Sequence, residues 1–265
     1  MHRGHAVVLC VPCGRRRYLE VLFSALAPFR GIVDRCELWL NTDDAADAAD
    51  VRATAARDAW FALVEPPLPK APRRELWRNV HAFYPDCCRP GTIYVKCDDD
   101  VVFVDSVERF RAFLDLRIDR PDVFLLSANV VNSPVCTHLH QAEGMLPGLT
   151  RTVPRSWFDD YGMSGPVAVA AHRAFLDRGA RWFDMPDVDL RGERFAINWV
   201  AWLGEDFAAF DGRVPENDEE WLTTRPGRTN AIAGGFVVCH FAFARQRAHV
   251  DATDVLSRYR ALPAT

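Results

Sequence analysis

The sequence predicts an α/β protein in which short buried strands alternate with helices. Three observations carry this. Of its 265 residues, 49% are hydrophobic and 26% charged, an ordinary globular balance that allows one large or two closely joined domains with a sizeable core. The N-terminal part alternates strand-sized apolar runs with stretches of helical periodicity. No apolar stretch is long enough to cross a bilayer.

Residues 6–11 read as a buried strand, followed by an amphipathic helix over 17–29 in which Leu19, Leu22, Phe23, Leu26 and Phe29 recur at helical spacing. A second strand at 36–40 ends in Asn41-Thr42-Asp43-Asp44. Residues 45–62 are Ala-rich and helical, 66–72 form a loop, and 74–83 form a further helix. A strand at 91–95 runs into Asp98-Asp99-Asp100, and Val101-Val102-Phe103-Val104 follows. Ser106 is placed to cap a helix over 106–114. Another strand is expected at 123–128, a long loop at 137–161, a strand at 165–171 leading into a helix through Phe175, and an aromatic-rich helix at 194–210. Gly234-Gly235 precedes a strand within 231–243, and 251–262 closes as a helix. No repeat, low-complexity linker or clean boundary divides the chain.

The formal net charge of −4 leaves no basic excess for binding a nucleic-acid backbone. The N-terminal apolar run is too short for a secretory signal, so the eight cysteines read as reduced thiols and the expected compartment is cytoplasmic. Cys10-Val11-Pro12-Cys13 has CxxC spacing but no second pair, and free Cys usually behaves as a small buried hydrophobe. His138 and His140 alternate without a completing ligand pair. Trp157, Trp182, Trp199, Trp202 and Trp221 are possible sugar-stacking platforms, although large aromatics mostly fill cores.

The most informative segment is Asp98-Asp99-Asp100 between apolar runs. Three adjacent carboxylates at a strand end repel one another, and a hard divalent cation resolves the conflict through oxygen ligands. In an extended chain Asp98 and Asp100 project to one side and Asp99 to the other. The competing reading is a polar turn between two strands.

Lys96-Cys97-Asp98-Asp99-Asp100-Val101-Val102-Phe103-Val104 resembles the K-x-D-D-D-V-F-V signature of beta-1,3-galactosyltransferase-like enzymes and related GT-A glycosyltransferase families. Three later blocks are similar to theirs. Tyr161-Gly162-Met163-Ser164-Gly165-Pro166 resembles the turn entering an acceptor-side strand. Asn217-Asp218-Glu219-Glu220-Trp221 resembles the acidic motif that carries the base of inverting members, and Val238-Cys239-His240-Phe241 the histidine that completes the metal site. The gap between the second and third blocks is longer here, and Asp-Glu-Glu replaces the usual Glu-Asp.

The resemblance implies a GT-A fold over residues 1–265, a single twisted mixed sheet flanked by helices. Residues up to about 105 would bind the nucleotide-sugar and the remainder the acceptor. It implies transfer of a sugar from a nucleoside diphosphate sugar, UDP-sugars favoured, to a hydroxyl of a glycan or glycoconjugate. Asp98, Asp100 and His240 would hold Mn²⁺ or Mg²⁺, and Asp218 or Glu219 would act as base. Pro12, Gly14, Arg15 and Asp43 would meet the nucleoside, Asp98-Asp99-Asp100 the diphosphate side, and Arg245 or Arg247 the phosphates. The rival readings are a sugar nucleotidyltransferase, although Gly14-Arg15-Arg16-Arg17 lacks that class's Gly-rich loop, and a non-catalytic carbohydrate-binding relative.

Overall fold

The computed structural model of the chain describes residues 1–66, 77–146, 164–215, 217–225 and 227–263. Strands β1 (Ala6–Cys13), β2 (Arg35–Leu40), β3 (Phe61–Val64) and β4 (Thr92–Cys97) pair in parallel in the order β3-β2-β1-β4. β1 and β4 are buried along almost their whole length, which is why their sequences run apolar without alternation. Helices α1 (Arg16–Leu26) and α2 (Ala45–Arg57) make the connections. Asp44 caps α2 by accepting from the amides of Ala46 and Asp47.

The chain continues through α3 (Trp77–Val80), β5 (Val101–Val104), α4 (Val107–Asp119), β6 (Val123–Val131), α5 (Pro134–Ala142), α6 (Gly165–Arg178), β7 (Val188–Leu190), β8 (Trp199–Leu203) and α7 (Gly204–Ala208). It closes with α8 (Asp218–Thr223), β9 (Thr229–His240), α9 (Arg247–Asp251) and α10 (Val255–Arg260). All described strands join one mixed sheet ordered β3-β2-β1-β4-β8-β6-β9-β5, with β7 paired to β9. β8 is antiparallel to both β4 and β6, so β6 and its parallel neighbour β9 run in the same sense as β4. The single mixed sheet flanked by helices is the expected fold class.

Several elements differ from the sequence reading. Residues 45–62 do not stay helical: α2 stops at Arg57, Asp58 turns extended (φ −143°, ψ 110°), and β3 follows on the edge of β2. The Ala-rich run hides this short strand. The expected loop at 137–161 begins as α5, with Pro134 in its first turn. The expected strand at 165–171 is instead helix α6, because the Ser164 hydroxyl accepts from Val167 N (3.3 Å) and Pro166 occupies the first turn. The helix expected at 194–210 is helical only over α7, and strand β8 precedes it. All five residues of β8 are buried between β4 and β6, and a short apolar run of that kind has no periodicity to separate helix from strand. The C-terminal helix is broken into α9 and α10. Of the helix expected at 74–83 only α3 is helical among the described residues. Trp157, most of the 66–72 loop, and Tyr161 to Met163 of the second block lie outside them.

Of the adjacent glycines in β9, Gly234 serves a close backbone approach and Gly235 does not. A Cβ built on Gly234 would sit 2.0 Å from the Met185 carbonyl oxygen, whereas one on Gly235 meets nothing within 4 Å. Gly234→Ala should therefore destabilise the fold by about 1–3 kcal/mol, as overpacking does. Gly235→Ala should be close to neutral. Urea denaturation of both variants checks this; equal midpoints would contradict it.

Candidate active site

The strand directions gather one set of residues at one edge. β1, β2, β4 and β9 all end there, and β8 begins there. Open α/β sheets bind ligands outside these carboxyl ends. The residues that follow them line a cleft of about 770 Å³: Gly14 and Arg15 after β1, Asn41 to Asp44 after β2, Asp98 and Asp99 after β4, and His240 at the end of β9. Pro12, Arg194, Asn198, Asp218, Glu219, Arg245 and Arg247 complete much of the wall.

The three aspartates turn rather than extend, Val101 N donating to Asp98 O (3.2 Å). Each carboxylate is compensated differently. Asp98 accepts from the buried Lys96 ammonium on Oδ1 (2.6 Å) and from Asn198 Nδ2 on Oδ2 (2.8 Å). Burial alone would raise its carboxyl, but Lys96 and then His240 outweigh this and hold it below the usual range. Asp99 faces the β1–α1 turn, accepting from Gly14 N (2.8 Å) and Arg15 Nε (2.9 Å). A side chain at position 14 is excluded, since its Cβ would lie 2.6 Å from Asn41 O.

Asp100 is fully buried and faces β9. Arg15 Nη1 lies 2.9 Å and Arg247 Nη2 3.5 Å from its Oδ2, and His240 Nε2 lies 3.2 Å from its Oδ1. Burial opposes ionisation here too, yet Arg15, His240 and Arg247 together hold the group well below the ordinary carboxylate range. Strand register brings the two ligands together: Val101 of β5 pairs with His240 of β9, and Phe241 N donates to Asp100 O (2.8 Å). One ligand atom from each of Asp98, Asp100 and His240 falls within 4.8 Å of the others. Asp100 Oδ1 and His240 Nδ1 are buried without a hydrogen-bond partner. Two carboxylates, one with an oxygen that makes no hydrogen bond, and an imidazole fit a divalent cation.

Across the cleft, α8 presents its first turn. Asn217 caps it by accepting from Glu220 N (3.0 Å). Asp218 accepts from the Tyr84 hydroxyl (2.8 Å) and from Glu219 N (3.0 Å). Glu219 Oε1 accepts from Arg194 Nε (3.0 Å) and Nη2 (2.9 Å). Burial pushes the Glu219 carboxyl up to about 8, against the opposing pull of Arg194. Glu220 points outward, its side chain 61% exposed. The rotation of a helix thus brings Asp218 and Glu219, but not Glu220, into the cleft.

Asp44 is committed to capping α2, which leaves the exposed Asp43 as the freer acid beside the cleft. Five residues escaped the sequence reading in this role. Lys96 was visible in the quoted motif but unassigned. Asn198 and Arg194 sat in a stretch read as helix. Asn132 and Gln246 are a buried amide pair: Asn132 Nδ2 donates to Phe241 O (3.0 Å), and Gln246 Nε2 to Asn132 Oδ1 (3.1 Å). Together they fix the loop after His240, and nothing local in sequence marks them. Trp199 and Trp202 are core, and His140 is buried against Asn129 (2.6 Å). The cysteines of the described chain are free.

No family model matches the chain, and no curated protein matches it. Among solved structures it is similar to mannose-1-phosphate geranyltransferase from Thermus thermophilus, at 15% identity and TM-score 0.33 over 48% of this chain and 42% of that one. It is similar to 4-diphosphocytidyl-2C-methyl-D-erythritolsynthase from Anaerococcus prevotii, at 11% and 0.47 over 96% and 97%. It is also similar to glucosyl-3-phosphoglycerate synthase from Mycobacterium tuberculosis, solved with Mn²⁺ and UDP, at 16% and 0.33 over 57% and 55%. The chain spans less than half the length of the first. At such scores none of them carries the chemistry of the cleft, which has to come from its residues.

Glu219 supplies a direct test of this environment. Its folded-state value is raised from 4.5 to about 8, so the unfolded chain ionises first. The stability this neutral carboxyl contributes is present below pH 4.5 and is lost as pH rises to about 8. Glu219→Gln should therefore gain thermal stability over the parent progressively across that window. A difference in Tm that stays flat with pH would show that Glu219 titrates normally.

Proposed function

We propose that the chain is a metal-dependent glycosyltransferase of the GT-A type, moving a sugar from a nucleoside diphosphate sugar to an acceptor hydroxyl with inversion. One observation carries this reading. Asp98, Asp100 and His240 converge at the carboxyl edge of the sheet, with Asp218 and Glu219 facing the same cleft. Asp98, Asp100 and His240 would hold Mn²⁺ or Mg²⁺. A cation bound there would neutralise charge developing on the departing diphosphate.

The chain's own residues supply the remainder. Arg15, Arg245 and Arg247 line the cleft near the aspartates and offer charge-assisted donors to phosphate oxygens. Asp43 and Asn41 stand where a ribose and base would extend along the ends of β1 and β2. Glu219 takes the proton of the acceptor hydroxyl as its oxygen attacks the anomeric carbon and the bond to the diphosphate breaks. A carboxyl raised to about 8 is a strong base once ionised, and Asp218 holds it by its amide. UDP is the favoured nucleotide, and the acceptor is a glycan or glycoconjugate.

Calorimetric titration with UDP should give binding with Mn²⁺ and none in chelator, and Asp100→Asn should abolish it. Glu219→Gln should bind donor normally but transfer sugar roughly 10²- to 10⁴-fold more slowly. The parent kcat should rise with pH towards about 8. The products separate the rival: release of nucleoside diphosphate supports sugar transfer, and release of pyrophosphate would make the chain a sugar nucleotidyltransferase. Metal-independent turnover in Asp100→Asn would overturn the metal assignment.

A further inference from the structure

At the far end of the sheet from the cleft, three arginines gather around one carboxylate, which two of them share. β8 starts beside the cleft and carries the chain through five residues, roughly 17 Å, to α7. There Asp206 of α7 accepts from Arg117 Nη2 of α4 (3.1 Å) on one oxygen and from Arg228 Nη2 (2.8 Å) on the other. Arg225 has no acidic partner among the described residues. It lies over three rings instead, 4.2 Å from Trp221, 4.5 Å from Phe210 and 5.7 Å from Phe124. Arg228 also stands over Phe124, at 4.7 Å. Nearby Arg120 is already matched by Asp122 and Asp189.

Each of the three has a buried nitrogen with no hydrogen-bond partner: Arg117 Nε, Arg225 Nη1 and Arg228 Nε. The Arg117 side chain is wholly buried and anchors Asp206, whereas the Arg228 side chain is 36% exposed and open to solvent. Unpaired buried donors on charged groups are strongly disfavoured unless an anion completes them. Burial, and for Arg225 the repulsion of Arg228, pull Arg117 and Arg225 below the ordinary arginine value. Four guanidinium groups here, those of Arg117, Arg120, Arg225 and Arg228, face three carboxylates, those of Asp122, Asp189 and Asp206, which leaves one positive charge uncompensated. The aromatic rings hold the Arg225 head in place and lower the local dielectric.

We infer that Arg225 and Arg228, with the buried Arg117 and Asp206 behind them, form a site for a phosphate group at this end of the sheet, separate from the catalytic cleft. A phosphate answers the surplus positive charge, and its oxygens fit the guanidinium fork better than a single carboxylate would. The group could be that of a soluble phosphate compound or of a phosphate-bearing lipid headgroup; the chemistry recognised is the same. Nothing in this assignment depends on the reaction proposed for the cleft.

Calorimetric titration of the full chain with inorganic phosphate, in chelator and at constant ionic strength in chloride, tests the assignment. Sedimentation with phosphatidylcholine vesicles, with and without phosphatidic acid, tests the lipid source. Phosphate binding weakened at least about tenfold in both Arg225→Gln and Arg228→Gln, and unchanged in the cleft variant Arg245→Gln, supports a soluble phosphate ligand. Vesicle binding that needs phosphatidic acid and is lost in the same two variants, without a phosphate response, assigns the site to a headgroup. A parent chain that binds neither probe overturns the inference. So do Arg225→Gln and Arg228→Gln variants that bind as the parent does.

Discussion

Three carboxylates side by side at a buried strand end must each find a counterpart, and meeting that demand organises the catalytic edge. Asp98 is satisfied by Lys96 and by Asn198, which ties β4 to the start of β8. Asp99 is satisfied by the Gly14 amide and Arg15, which ties it to the β1–α1 turn. Asp100 faces His240, Arg15 and Arg247, which ties it to the end of β9. Each aspartate thus locks a different neighbour into the same edge. Charge compensation and site assembly are one event here. Because Arg15 serves both Asp99 and Asp100, the first strand is coupled to the last through a single guanidinium.

Much of this edge was legible in sequence, for a physical reason. Crowded acids between apolar runs are costly unless compensated, so Asp98-Asp99-Asp100 stands out without any partner in view. The expectation for Asp99 assumed an extended chain, whereas the three aspartates turn and Asp99 lies against the Gly14 amide. The resemblance of the acidic block pointed to Asp218 and Glu219, and these two line the cleft while Glu220 faces outward. What escaped was long-range. Asn132 and Gln246 are 114 residues apart and meet only because β6 and β9 pair. Arg194 acquires its role only by reaching Glu219, 25 residues on. The misread elements share a local cause: β8 and β3 are runs of four or five residues, too short for period to discriminate, and Ser164-Gly165-Pro166 is helix-starting chemistry read as a turn into a strand.

α8 connects the two ends of the molecule. Its first turn faces the cleft with Asp218 and Glu219, and its Trp221 supports the arginine cluster at the opposite end of the sheet. Asn230 at the start of β9 donates to the Thr223 carbonyl (2.8 Å) and accepts from Leu125 N (3.1 Å), fastening the helix end to β6 and β9. The helix spans only six residues, so most of its stability comes from these tertiary contacts rather than from its own propensity. A base held on so short an element depends on what grips both its ends: Tyr84 and Arg194 on one side, Asn230 and the aromatic stack on the other.

Burial raises both Asp99 and Glu219 while Asp98 and Asp100 are held low, and of the raised pair Asp99 is engaged by the Gly14 amide and Arg15. Asp98 and Asp100 are buried yet held ionised, because Lys96, Arg15, His240 and Arg247 outweigh desolvation. Groups fixed as anions at every relevant pH suit ligation and not proton transfer. Glu219 has one guanidinium beside it, and desolvation prevails, leaving a carboxyl poised to exchange a proton near neutrality. The Lys96 ammonium is kept charged by Asp98 and Asp218 despite its burial. Where neighbouring acids are driven apart in this way, the ionised ones bind and a raised one transfers protons. On the proposed function, the same logic would place a cation on the β4–β9 side of the cleft and the acceptor on the α8 side. A sugar held between them would then present its anomeric carbon to the base and its diphosphate to the cation.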